Sequence, residues 1–178
     1  HKKETRQAAI DFLENVLIEI TPRKIAPLDC FPAFKFPYYL KSEEPGLAFQ
    51  PGRALCYWGE AGWGEIAMKG KREGAFDPRL ATASAKMIRE RWQLEEFPTW
   101  LTCAPSHKNP RLVPEFAQKL ADELGIPFHE VVKKVQRNSP QKAMENTSFR
   151  CKNLDGVFAI EGNLPSGPAF LVDDAVDS

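Results

Sequence analysis

The chain has 178 residues, 43% hydrophobic and 27% charged, which suits one soluble globular domain, or a domain with an appended subdomain, around a real core. Its 24 Lys and Arg balance its 24 Asp and Glu, which argues against a protein that holds duplex DNA mainly through phosphate contacts. No apolar run nears the roughly 20 residues a membrane span needs, and His1-Lys2-Lys3-Glu4 lacks the apolar core of a secretory signal.

The four cysteines (Cys30, Cys56, Cys103 and Cys151) stand far apart with no CxxC pair, so neither a zinc module nor a disulfide framework is expected. Four reduced thiols in a cytoplasmic protein are expected instead. With no initiating Met and an acidic turn at its end, the chain reads as a window on a longer polypeptide.

In chain order, Ala9, Phe12, Leu13, Val16, Leu17 and Ile20 recur at helical spacing, predicting one helix that ends before Pro22. From Pro22 to about Gly52 the run is rich in proline and aromatics, including Pro27, Phe31, Phe34, Phe36, Pro37 and Tyr38. Proline forbids a regular helix there, and the aromatics predict an arm lying over the next domain or over a missing neighbour. Ala54 to Trp58 reads as a strand, followed by the glycine-punctuated turn Gly59 to Gly64. Glu65 to Met68 opens a short helix, and Lys69-Gly70-Lys71-Arg72 reads as a basic loop. Asp77-Pro78 has the form of an N-cap with proline at the first helical position, and the helix runs on through Leu80, Met87, Ile88 and Arg91.

Thr99 to Ala104 predicts an apolar strand ending in Pro105-Ser106-His107-Lys108. Val113, Phe116, Ala117, Leu120 and Leu124 share one helical face, which Gly125 closes. Phe128 to Val132, Val157 to Ile160 and Ala169 to Val172 read as further strands, with the polar stretch 133–156 left without a pattern. Strand, helix, strand at this spacing implies βαβ units and a parallel sheet. The four tryptophans, Trp58, Trp63, Trp92 and Trp100, are expected in the core or an interface.

Chemistry concentrates at Phe170-Leu171-Val172-Asp173-Asp174-Ala175-Val176-Asp177-Ser178. An apolar strand there delivers two adjacent carboxylates to the edge of a sheet where open α/β folds bind ligands. Carboxylates accept hydrogen bonds from sugar hydroxyls or hold Mg²⁺ through water, and a following tight turn offers amides to an anion. A strand-ending acid pair with no such role and a nucleotide-triphosphatase metal site are the competing readings; no GxxxxGK[ST] motif supports the latter.

This run resembles the signature of type I phosphoribosyltransferases: four apolar residues, two acids, two variable residues, then Asp/Thr-Ser/Thr-Gly-x-Thr. Asp173, Asp174, Asp177 and Ser178 match, and the sequence stops before Gly-x-Thr. The resemblance is closest to the ComF competence family and to a domain linked to RecQ-type DNA helicases. In those proteins a Val-Pro-type loop faces pyrophosphate, where this chain has Cys103-Ala104-Pro105-Ser106. The helix pattern of Phe116 to Ala121 is similar, as are Arg137, Gln141, Arg150, Asn153 and Phe158 in order and spacing. Trp58 to Lys71 resembles the segment leading to a Lys-containing turn, and Gly59 to Gly64 looks like the helicase-linked branch. The cysteine-paired zinc module with which ComF proteins usually begin is missing here.

The resemblance implies an α/β, parallel-sheet, Rossmann-like phosphoribosyltransferase fold at 54–178, incomplete at its C-terminal side, behind an N-terminal helix and arm at 1–53. It implies that Asp173, Asp174, Asp177 and Ser178 hold the ribose and 5-phosphate of phosphoribosyl pyrophosphate, with Mg²⁺ as cofactor near the first two through water. Pro105, Ser106, His107 and Lys108 would form the pyrophosphate loop, and Arg137, Gln141, Arg150 and Asn153 a mobile basic loop. No catalytic residue is identified. Two functions stay open: a phosphoribosyltransferase-like ribose-phosphate binder in a DNA uptake, repair or helicase-associated protein, or a non-catalytic DNA-processing accessory or protein-interaction module on the same fold; in either case DNA is a partner through a helicase in the same or a neighbouring chain. No membrane partner is expected.

Overall fold

The protein is described by a computed structural model covering residues 2–21, 50–140, 143–145 and 147–176. The proline- and aromatic-rich arm, Gln141, Asp177 and Ser178 lie outside the described residues. The fold is mixed α/β. Among the described residues, five helices accompany small sheets, one of which is a parallel pair.

The parallel pair is the centre of the molecule. Strands β3 (Trp100–Cys103) and β6 (Ala169–Val172) run parallel in the register Trp100↔Ala169 to Cys103↔Val172. On the other side of β3, Leu101 makes a parallel bridge to Phe128. The Leu101 amide donates to Pro127 O at 2.9 Å, and the His129 amide donates to Leu101 O at 2.8 Å. The strand expected at 128–132 therefore reduces, beside β3, to this bridge. Every residue of β3 is buried, as a strand covered on both faces requires.

Helices α3 (Pro78–Glu90) and α4 (Leu112–Leu124) pack on each other, and α4 covers β3. Asp77 caps α3 as its sequence predicts, accepting from the Arg79 amide at 2.9 Å, with Pro78 in the first turn. Ala81, Ala85, Met87 and Ile88 of α3 meet Val113, Ala117, Leu120 and Leu124 of α4 in one core that also holds Leu101 and Phe170. Gly125 closes α4 at φ 70°, a left-handed turn that an L side chain resists. Trp92 packs on Phe170 at 5.3 Å between ring centroids, and Trp100 is buried.

Three sequence expectations need correction. The N-terminal helix α1 (Lys2–Asn15) does not reach Ile20. Ile18–Ile20 instead forms β1, antiparallel to β2 (Gly52–Ala54), with Glu19 paired to Arg53 at 3.2 Å. Isoleucines on either side of Glu19 satisfy a period of two as well as the helical one, and cross-strand pairing decided between them. The strand expected at 54–58 shrinks to its first residue for the same reason, since Gly52–Ala54 is the stretch that β1 pairs.

The second correction is α2 (Trp63–Glu73), which absorbs the expected basic loop. Lys71 and Arg72 occupy its last turn, where cations suit the helix dipole, and Gly74 ends it at φ 78°. Gly70 reads as a breaker in sequence, yet it is the residue the packing demands. A Cβ there would lie 2.8 Å from the Ala75 carbonyl oxygen.

The third correction concerns the sheet. β4 (Val132–Lys134) begins on the last residue of the strand expected at 128–132 and runs into the stretch without pattern, which also contains α5 (Thr147–Leu154), and β4 pairs antiparallel with β5 (Phe158–Ile160). Among the described residues β3 and β6 are thus the parallel pair, and the remaining strands pair antiparallel. Three-residue strands are too short to show a period. Cys56 and Cys103 are free thiols. No helix among the described residues is long and apolar enough to cross a membrane.

Candidate functional site

Parallel pairing of β3 with β6 decides which loops become neighbours. Both strands end at the same edge, and the Ala104 amide extends their ladder by donating to Val172 O at 2.8 Å. Asp173-Asp174 therefore leaves the sheet beside Ala104-Pro105-Ser106, at the carboxyl edge where open α/β sheets hold ligands. Two stretches about 70 residues apart in sequence, each singled out for its chemistry, are brought together by this register.

The acid pair is organised internally. The Asp174 amide donates to Asp173 Oδ1 at 2.7 Å. The Lys71 ammonium reaches from α2 to Asp174 Oδ2 at 2.8 Å and also lies 5.3 Å from the centroid of the Trp58 ring. The Asp174 side chain is largely covered, whereas Asp173 stays open to solvent on one side.

The Asp173 carboxyl is pushed up to about 6, chiefly because surrounding protein displaces water from it. Repulsion from Asp174 adds to this, while the Asp174 amide and Lys71 act against it. Water on the exposed side offsets part of the crowding. Cys103, buried beneath, is pushed up to about 11 by burial first and by Glu130 and Asp173 next, so its thiol stays protonated and unreactive at neutral pH.

A raised carboxyl has a definite sign in stability. Unfolded Asp173 ionises near pH 4 and the folded residue near 6, so the folded state binds more protons between those values. Stability falls as pH rises through that window. Asp173→Asn removes the effect, so the variant should melt close to wild type at pH 4 and above it at pH 8 in calorimetric scans. An unchanged difference between the two pH values would contradict this electrostatic description.

The loop beside the acids is half-buried at Pro105 and Ser106 and exposed at His107 and Lys108. Pro105 has no amide donor. The amides of Ser106, His107 and Lys108 donate to no backbone carbonyl among the described residues. His107 Nε2 lies 3.4 Å from the Gln136 carbonyl oxygen, tying this loop to the segment after β4.

The residues expected in a basic loop are placed differently from one another. Arg137 is exposed, and Arg150 lies half-buried on α5. Asn153 forms a two-bond clamp with Ser139: its side-chain amide donates to Ser139 O at 2.8 Å, and its Oδ1 accepts from the Ser139 amide at 3.0 Å. That clamp fastens the segment after β4 to α5. Gln141, Asp177 and Ser178 lie outside the described residues.

Sequence reading passed over Lys71 and Trp58 as site residues. Trp58 is 51% exposed, so of the expected core or interface positions it does not take the core one. The available signal was the Gly64 and Gly70 pair, which lets α2 approach its neighbours closely. A Cβ on Gly64 would collide with the Tyr57 carbonyl, so α2 is pressed against the segment carrying Trp58. A depression of about 300 Å³, lined by Ile66, Lys69, Gly70, Glu73, Phe76 and Arg79, takes in neither Lys71 nor Trp58 nor the acid pair.

No cluster of three or more His, Cys, Asp or Glu suited to a metal exists among the described residues. Two adjacent carboxylates still suit Mg²⁺ carried largely by a ligand's phosphates and held through water. Comparison with protein-family models, curated proteins and solved structures finds no match for this chain.

Proposed function

We propose that this chain is a phosphoribosyltransferase-like domain that binds phosphoribosyl pyrophosphate or a related ribose phosphate, in a protein of DNA uptake, repair or unwinding. The observation that carries the proposal is the parallel register of β3 and β6, with the acid pair of one strand beside the loop of the other. Asp173 and Asp174 accept hydrogen bonds from the ribose hydroxyls. The amides of Ser106, His107 and Lys108, with the Lys108 ammonium, receive the pyrophosphate. By the resemblance, Asp177 and Ser178 are assigned to the 5-phosphate. Mg²⁺ held through water near Asp173 and Asp174 would neutralise phosphate charge.

A non-catalytic accessory role is the second reading, and one contact favours it. His107 meets a backbone carbonyl at Gln136, not a carboxylate that would orient it as the base of a catalytic pair. Ligand recognition without turnover is compatible with the same residues. The test is calorimetric titration of Mg²⁺–phosphoribosyl pyrophosphate into the full-length protein. Saturable binding at one site is expected; a folded protein that takes up none would remove the ribose-phosphate reading.

A further inference from the structure

Two adjacent carboxylates are a poor receptor for a phosphorylated sugar unless something cancels their charge. Sugar hydroxyls suit them, but each phosphate that follows is repelled. Lys71 is placed to resolve this conflict. Its ammonium lies 2.8 Å from Asp174 Oδ2, while a third of its side-chain surface stays open to solvent.

The arrangement around Lys71 is fixed from two directions. Gly64 lets α2 press against the Tyr57 carbonyl, which sets the helix relative to the Trp58 segment. Trp58 then lies beneath the ammonium at 5.3 Å although it is half exposed. A large exposed aromatic gains little by burial there, whereas its ring face attracts a cation. Asp174 and Trp58 together hold one cation at the edge of the acid pair.

We propose that Lys71 is the specificity-determining residue of this site, selecting phosphorylated over neutral sugars by neutralising Asp174 and presenting positive charge to the ligand's phosphate. The inference rests on the ribose-phosphate reading and adds the discrimination that the acid pair cannot supply alone. Specificity of this kind is a difference between two affinities, so it is read from two ligands.

The experiment titrates ribose 5-phosphate and unphosphorylated ribose into the full-length wild type, Lys71→Met and Lys71→Arg. Lys71→Met should weaken ribose 5-phosphate about tenfold or more and ribose less than about threefold, since a single charge facing the phosphate is lost. Lys71→Arg should restore the phosphorylated ligand to within about threefold, because it keeps the charge on a different frame. Equal loss of both sugars would make Lys71 merely structural, and no loss of either would remove its role. Binding of neither sugar by folded wild type would overturn the ribose-phosphate reading itself, and this specificity with it. A thermal double-mutant cycle of Lys71→Met with Asp174→Asn checks the geometry without ligand: non-additive melting shifts are expected, and additive shifts would overturn the pairing.

Discussion

Replacing both carboxylates, Asp173→Asn with Asp174→Asn, should weaken Mg²⁺–phosphoribosyl pyrophosphate by about a hundredfold or more. A hydrogen bond to a charged group contributes about 1.5–3 kcal/mol, and two such bonds to ribose hydroxyls are removed or turned into weaker neutral ones. Each 1.4 kcal/mol is tenfold in affinity, so a combined loss of about 3 kcal/mol gives the stated factor. The change is nearly isosteric and keeps hydrogen-bonding groups in place. It removes the carboxyl that crowding pushes up to about 6, and it breaks a Lys71–Asp174 pair whose lysine is partly solvated. One ion pair with a partly solvated lysine is a small share of a domain's total stability, so the variant should remain folded by circular dichroism. Unaltered affinity in the same calorimetric titration would separate the acid pair from ligand binding.

Leu101→Ala should destabilise the protein by about 2–5 kcal/mol, read as a lower urea midpoint with an unchanged slope. Leu101 is 0% exposed and belongs to the cluster that joins α3, α4 and β6. Its backbone is bound on both sides, by Phe170 as strand partner and by Pro127 and His129 through hydrogen bonds. Neighbours held this firmly relax little into the space left behind, which places the loss toward the upper part of the range. Because β3 also carries the Pro105 to Lys108 loop, a loosened Leu101 would be felt at the site. A midpoint shift below that of an ordinary surface substitution would show that β3 is not the central strand.

How much of this was legible in the sequence depended on how long each signal ran. Helix α4 announced itself through thirteen residues of one periodicity closed by Gly125, and α3 through Asp77-Pro78. The acid pair was legible because an apolar strand led straight into it. Helix α2 was obscured by Gly70, whose role is to admit the Ala75 carbonyl, a packing fact with no local signature. The sequence 16–20 satisfied both periods, and the choice was made by β2, more than thirty residues away. The short antiparallel pairing of β4 with β5 left no pattern. Lys71 stood in an ordinary-looking basic run, and its contact with Asp174 spans about a hundred residues of chain. Local chemistry was therefore readable, while the partners supplied by tertiary contact were not.

The most direct test of the account is where the ligand lands. Backbone amide shifts should be followed by NMR as Mg²⁺–phosphoribosyl pyrophosphate is added to the assigned protein. The amides of Ser106, His107, Lys108 and Asp174 should move together and saturate at one ligand concentration. Saturating shifts confined to the depression beside Phe76, or to the basic residues of 133–152, with Ser106 and Asp174 silent, would contradict it.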